Sequence, residues 1–291
     1  MVRLTLALLT ALSACTPPPV SIDTLAAGMG DPQRDETVLV PVTGADGAVS
    51  PIQTRICRPA SDAPARLVVI NHGAPPNSAA RPHMQLQRCD GEAARWFLAR
   101  GYVVAFPLRR GYGANGGVAP EASSSCREAD FVHSGLESAR DIDAVVRHLA
   151  ALPFVRPGQT VVLGQSAGGW GAVAYDSIPH PGVTAFISMA GGRGGHYQQQ
   201  PSNNCHPERL VEAAGRLGAT ATTPMLWIYT ANDSYFAPTL ATSMHDAFTQ
   251  AGGKAELVQL DSFGSDGHGL FFGRGGSAIW GPPVERYLAA H

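Results

Sequence analysis

Apolar residues along the chain fall into two rhythms. Short apolar runs at Arg66-Leu-Val-Val-Ile70, Tyr102–Leu108, Val161-Val-Leu163, Val183–Met189, Met225–Thr230 and Ala255–Leu260 predict strands, and Arg66–Ile70 and Val161–Leu163 have the composition of strands buried on both faces. Between them apolar positions recur at helical spacing. Ala93, Ala94, Phe97 and Leu98 predict a helix over 91–100 that stops at Gly101. Leu136, Ala139, Ile142, Val145 or Val146 and Leu149 predict a longer crossover helix. Further helices are predicted over 167–174, 207–217, 240–251 and 283–290. Ahead of this alternation, Thr37–Val42 and Ile52–Cys57 flank Gly44-Ala-Asp-Gly47 and predict an antiparallel pair at a sheet edge. The pattern implies an α/β fold: a mostly parallel twisted sheet with helices on both faces and right-handed crossovers. Ligands of such sheets bind at the carboxyl ends of the strands. The loops after Ile70, Leu108, Gln165, Met189, Thr230 and Leu260 are therefore where chemistry is expected.

One of those loops is Gly164-Gln-Ser-Ala-Gly168, a G-x-S-x-G between a predicted strand and a predicted helix. It places Ser166 on a turn so tight that side chains two residues to either side would collide, and it exposes the hydroxyl at the top of the sheet. A serine hydroxyl is a weak nucleophile without a base, and the base needs a carboxylate to orient it. His268, in Asp266-Gly-His-Gly269 directly after the last strand, is the candidate base. His83, His133, His148, His180, His245 and His291 fall in predicted helices or surface loops and are read as solvated. Asp233, just after Met225–Thr230, is the candidate acid, with Asp261 and Asp266 as rivals. Asp266 stands two residues from His268 and is expected to shape that loop. The order Ser166, Asp233, His268 is neither the chymotrypsin nor the subtilisin order. For a developing oxyanion, one donor is expected from the Ala167 amide and a second from the loop His72-Gly-Ala-Pro75, with Ala74 preferred and Gly73 the alternative. His72 is expected to be structural, bonded within its own loop.

Composition narrows the partners. With 291 residues, 44% hydrophobic and 15% charged, the chain can bury a large core in one domain. A net charge of −2 without a basic cluster argues against nucleic acid or an anionic membrane surface and leaves a small-molecule substrate. Met1-Val-Arg, the apolar run Leu4–Leu12 and Ser13-Ala-Cys15 have the three regions of a secretory signal. Leu12-Ser-Ala-Cys15 also resembles the lipobox of bacterial lipoproteins. The expected organisation is a signal peptide over 1–14, a tether over 15–36 and a single domain over 37–291. Export across the inner membrane is expected, with Cys15 lipidated and the chain facing the periplasm; an ordinary periplasmic or extracellular product is the alternative. In an oxidising compartment Cys57, Cys89, Cys126 and Cys205 permit two disulfides in three connectivities. Cys126 with Cys205 is favoured because both fall in loops placed near the catalytic end of the sheet. No His, Cys or Glu spacing suggests a metal.

The ordered set His-Gly, G-x-S-x-G, Asn-Asp and Gly-His resembles the α/β-hydrolase superfamily over about residues 37–291. Within it, Leu108-Arg-Arg-Gly-Tyr-Gly113, Gly164–Trp170 and Asp266-Gly-His-Gly-Leu270 resemble dienelactone hydrolase-like proteins and the catalytic domains of prolyl-oligopeptidase-type peptidases. Dienelactone hydrolase itself uses a cysteine nucleophile, so its lactone chemistry does not carry over. The chain also has no room for the β-propeller that precedes the peptidase domain. The resemblance implies a lid-like insertion over about 192–223, too short for a full cap, and a mostly open pocket bordered by Trp170, Tyr235 and Phe236.

Gly111-Tyr-Gly-Ala-Asn-Gly116 matches G-x-G-x-x-G in form, but Val118–Ser125 after it is loop chemistry where a dinucleotide site needs a helix. It is read as a loop lining the substrate pocket through Tyr112 and Arg110, with no cofactor. Taken together, the expected protein is a serine hydrolase that cleaves an ester or related acyl bond of a small substrate through an acyl-enzyme. The alternatives are a short-peptide peptidase and a non-catalytic binding protein that keeps the fold.

Overall fold

The computed structural model describes residues 34–122 and 125–291. The expected signal peptide, Cys15 and nearly all of the tether lie outside these residues. Eight strands, β1 (Asp35–Thr43), β2 (Val49–Cys57), β3 (Ala65–Asn71), β4 (Val103–Pro107), β5 (Val155–Gln165), β6 (Val183–Met189), β7 (Met225–Thr230) and β8 (Ala255–Leu260), form one sheet in the order β1-β2-β4-β3-β5-β6-β7-β8. β1–β2 and β2–β4 are antiparallel and every other pair is parallel. The helices are α1 (Glu92–Leu98), α2 (Phe131–Ala150), α3 (Ala167–Asp176), α4 (Pro207–Gly218), α5 (Pro238–Gln250) and α6 (Ser277–Ala290).

Side-chain alternation along the central strands supplies both layers. Val69 and Val162 face the helices α2 to α5, together with Phe186 and Trp227. Val68, Ile70, Val161 and Leu163 face α1 and α6, packing with Phe97, Trp280 and Val284. Because both faces are covered, the strands read as unbroken apolar runs. The stripe Ala139, Ile142, Val145, Val146 and Leu149 of α2 is fully buried, each larger side chain contributing about 1.5–3 kcal/mol. Asp130 caps that helix by accepting from the His133 N–H at 2.9 Å.

Both disulfides form, Cys57–Cys89 and Cys126–Cys205. The first ties the end of β2 to the segment before α1. The second ties the loop before α2 to the loop before α4. Among the described residues no helix is long and apolar enough to cross a membrane.

One element departs from expectation. α6 begins at Ser277, six residues ahead of the expected 283, and carries Pro282 and Pro283 inside it. Fully buried Trp280 in its first turns packs against Trp96, Phe97 and Phe271, and that burial outweighs the lost backbone bonds. Of the insertion expected over 192–223, α4 is an ordinary crossover helix between β6 and β7, burying Leu210, Ala213, Ala214 and Leu217. The segment 192–206 ahead of it is irregular apart from the short turn Tyr197–Gln199.

Candidate active site

Ser166 joins β5 to α3 with φ 54° and ψ −120°. A side-chain-bearing residue held there costs about 1–3 kcal/mol, and such strain collects at functional turns. The turn closes because its flanks carry no Cβ: one on Gly164 would lie 2.1 Å from the Gly168 carbonyl oxygen, and one on Gly168 2.4 Å from that of Asn71. The Ser166 N–H donates to Met189 O at 2.9 Å, while its carbonyl accepts from Trp170 N and Gly192 N. The elbow is thus held to both β6 and the loop after it.

Asp233 and His268 come together from separate loops. His268 Nδ1 lies 3.1 Å from each carboxylate oxygen of Asp233, and both residues are buried. A carboxylate only accepts, so this pairing puts the imidazole proton on Nδ1 and leaves Nε2 its lone pair. Asp233 is itself fixed, since Oδ1 accepts from the N–H groups of Tyr235 (2.8 Å) and Phe236 (2.9 Å). The two loops interlock at Gly267, where a Cβ would fall 1.9 Å from Thr230 Oγ1. Gln165, next to the serine, donates from Nε2 to the His268 carbonyl at 3.1 Å. No hydrogen bond joins Ser166 Oγ to His268 among the described residues; in unliganded sites that contact is commonly long and tightens with substrate. Of the rival acids, Asp261 is exposed. Asp266 shapes the loop, its Oδ1 accepting from the N–H of His268 (3.0 Å) and of Ser234 (3.1 Å).

The loop after β3 packs on the elbow. A Cβ at Gly73 would lie 3.0 Å from Ser166 Cβ and 2.5 Å from Gln165 Oε1. Ala74 follows it and is exposed. Ala167 opens α3, where a backbone N–H has no acceptor within the helix. His72 behind them is buried and neutral. Burial, then the Arg109 guanidinium, push its pKa down to about 3, against a raising bond to the Gly73 carbonyl. Nδ1–H donates to Gly73 O (2.7 Å) and Nε2 accepts from Arg109 N (3.1 Å), so the ring holds the loop. The sign of its linkage follows. Below about pH 6.5, the ordinary value for histidine, the unfolded chain takes up a proton that folded His72 refuses until about pH 3. Its share of stability is complete above pH 6.5 and falls by about 1.4 kcal/mol per pH unit on acidification. Urea midpoints at pH 7, 6 and 5 are expected to show that slope, and His72→Asn to remove one proton's worth of it; an unchanged slope in the variant would contradict the assignment.

Beneath that loop lies a buried ionic cluster. Glu121 accepts from Arg109 Nε (2.6 Å), Arg109 Nη2 (3.2 Å), Arg193 Nη2 (2.8 Å), Tyr112 Oη (2.5 Å) and Ser138 Oγ (2.5 Å). Burial disfavours its charge, but the Arg109 and Arg193 guanidiniums hold the carboxyl well below the usual range. Arg109 Nη1 donates to His72 O at 2.7 Å and so carries the cluster's rigidity to the loop.

Three expected pocket residues, Tyr112, Trp170 and Phe236, are core instead. Tyr112 is 1% exposed, with its hydroxyl on Glu121 and its ring edge-on to His72. Burial and the Glu121 charge push that phenol up to about 12, so it stays a donor. Trp170 is also 1% exposed, and its Nε1–H donates to Phe131 O at 2.8 Å. Arg110 is committed to Asp141 and Glu137, away from a pocket role. Tyr235 is half-buried, with its ring centroid 4.1 Å from that of His268; the Phe236 ring, 5.6 Å from the imidazole, is 1% exposed and belongs to the core. Glu121 and Arg193 escaped the sequence reading because their pairing joins residues 72 apart in the chain, in polar or glycine-rich loops where a single charge does not stand out. His196, which stacks on Tyr235, was likewise unremarked.

No protein-family model matches the sequence, and no curated protein sequence matches it either. Solved structures do match the fold. A Klebsiella pneumoniae protein assigned as a dienelactone hydrolase superposes with a TM-score of 0.56 at 17% identity, covering 88% of this chain and 99% of its own. An acetyl xylan esterase from Paenibacillus gives 0.60 at 15% identity, over 89% and 85% of the two chains. Porphyromonas gingivalis dipeptidyl peptidase 4 gives 0.59 at 15% identity, over 88% of this chain but only 35% of the peptidase. Sheet order, elbow and neighbours agree: the chain has the α/β-hydrolase fold.

Proposed function

We propose that the protein is a serine hydrolase that cleaves an ester or related acyl bond of a small substrate. The observation that carries this reading is Ser166 on its strained elbow, at the sheet edge where the loops of Asp233 and His268 meet. In the proposed reaction His268 Nε2 takes the hydroxyl proton as Ser166 Oγ attacks the acyl carbon. The oxyanion is held by the Ala167 amide and that of Ala74, with Gly73 as the alternative second donor. Collapse breaks the bond to the leaving group, which departs with the proton from His268. Water, deprotonated by the same imidazole, then attacks the acyl-serine and releases the acid and the free serine. Asp233 keeps the imidazole in the Nδ1–H tautomer and offsets its positive charge in both halves.

A peptidase would use the same parts, and the fold match to dipeptidyl peptidase 4 favours keeping that reading. The open strap 192–206 in place of a full cap, and the fold match to an esterase over most of both chains, favour small esters. A panel of p-nitrophenyl esters against aminoacyl anilides separates the two: ester hydrolysis is expected, and cleavage of anilides alone would overturn it. We also propose that residues 1–14 direct export and that Cys15 carries a lipid anchor; the two disulfides support an oxidising destination.

A further inference from the structure

Three rings lie in a column over the site. The His268 and Tyr235 centroids are 4.1 Å apart with planes inclined by 23°, and those of Tyr235 and His196 are 3.6 Å apart and nearly parallel at 6°. The outer ring is also wired to the inner one. His196 Nε2 lies 2.8 Å from Ser234 Oγ, which in turn donates to Asp266 Oδ2 at 2.5 Å, and Asp266 Oδ1 accepts the His268 N–H. Because the Ser234 hydroxyl proton is committed to Asp266, its oxygen must accept from His196 Nε2–H.

The backbone that presents His196 is unusual. His196, Gln198, Gln199, Ser202 and His206 all have φ between 45° and 62°, the left-handed region that side chains disfavour. Such a path persists only where its surroundings fix it. Here Ser202 N–H donates to Ser234 O, Asn204 Nδ2 to Tyr235 O and Cys205 N–H to Gly194 O, while Cys205 is bonded to Cys126. Gly195 lies against the Tyr235 ring, where a Cβ would be 2.9 Å from Cδ1.

We propose that Tyr235 and His196 are positioning residues that clamp the His268 imidazole and stabilise its protonated form. The inference rests on the hydrolase reading above. A π-face against an imidazolium is attractive, and a ring sandwiched on its far side cannot turn away. The titratable groups facing His268 are Asp233 from the β7 loop, Asp266 from its own loop, the Tyr235 phenol and, across that ring, His196. Both carboxylates are present with or without the stack, so its own effect is separable.

The test is a pH profile of p-nitrophenyl acetate hydrolysis, with the rate of fluorophosphonate labelling measured in parallel. Tyr235→Phe, which keeps the ring against the imidazole, is expected to leave the acid limb of kcat/KM where the wild type has it. Tyr235→Leu is expected to lose about tenfold in kcat, and to move the acid limb of kcat/KM about 0.5 pH unit lower as the charged form loses its partner. His196→Ala should shift the limb the same way with a smaller loss, and His196→Phe, which keeps the stack, should restore it. Wild-type labelling with Tyr235→Leu matching the wild type in rate and limb, or losing rate with the limb unmoved, would overturn the clamp alone. Failure of the wild type to label would overturn the hydrolase reading and the clamp with it.

Discussion

Changing His268 to alanine is expected to lower kcat/KM for p-nitrophenyl esters by about ten-thousandfold or more, with little change in the thermal midpoint. The loss is large because, among the described residues, the nearby histidines cannot take the serine proton in its place: His72 is held neutral with both ring nitrogens bonded, and His196 is separated from His268 by the Tyr235 ring. The fold should survive because His268 sits on a short turn whose backbone is tied by Asp266 and Gln165, and those bonds do not need the imidazole. Steady-state kinetics with a melting curve on the same sample checks both halves. An activity loss below tenfold would contradict the role given to His268.

Asp233→Asn is expected to cost about a thousandfold to ten-thousandfold at neutral pH. Asparagine keeps an oxygen for the Tyr235 and Phe236 N–H groups, so the loop geometry holds. Its NH2 then faces Nδ1 and demands an acceptor there, which moves the imidazole proton to Nε2 and removes the lone pair the serine needs. Asp266→Asn should cost far less, since Asp266 meets the His268 backbone and not its ring. If the asparagine at 266 proved the more damaging of the two, the assignment of the acid would be wrong.

The parts of this site legible in the sequence are those set by local constraints. The elbow shows because sterics demand Gly164 and Gly168 within five residues, and the structure meets that demand with carbonyl oxygens 2.1 and 2.4 Å from the missing Cβ positions. The strands Val183–Met189, Met225–Thr230 and Ala255–Leu260 have the bounds that their apolar runs predict. Asp233 and His268 show because each lies in the loop that follows a strand, and a parallel sheet sends all such loops to one edge. What stayed hidden depends on partners distant in the chain. Tyr112 and Trp170 occupy loop-like or elbow-adjacent positions, yet Glu121 and the Phe131 carbonyl draw their polar atoms inward. The Cys126–Cys205 pairing was favoured by loop placement, and Cys57–Cys89 then follows. His196 gave no signal, since nothing local marks a left-handed segment without glycine at those positions.

The rigidity behind the loop after β3 has a corresponding source. Glu121 lies at the centre of a buried cluster that reaches His72 O through Arg109, and removing one partner from such a cluster leaves charge uncompensated at a cost of about 3–5 kcal/mol. Through Arg109 this cluster holds the His72 carbonyl, and the next residue, Gly73, packs against Ser166.

The most direct test of the account is covalent labelling of the intact protein by a fluorophosphonate, read by intact mass and by mapping the modified peptide. The account predicts one adduct per chain, located on Ser166, absent from Ser166→Ala and strongly slowed in His268→Ala. An unlabelled wild type, or equal labelling of Ser166→Ala, would contradict it.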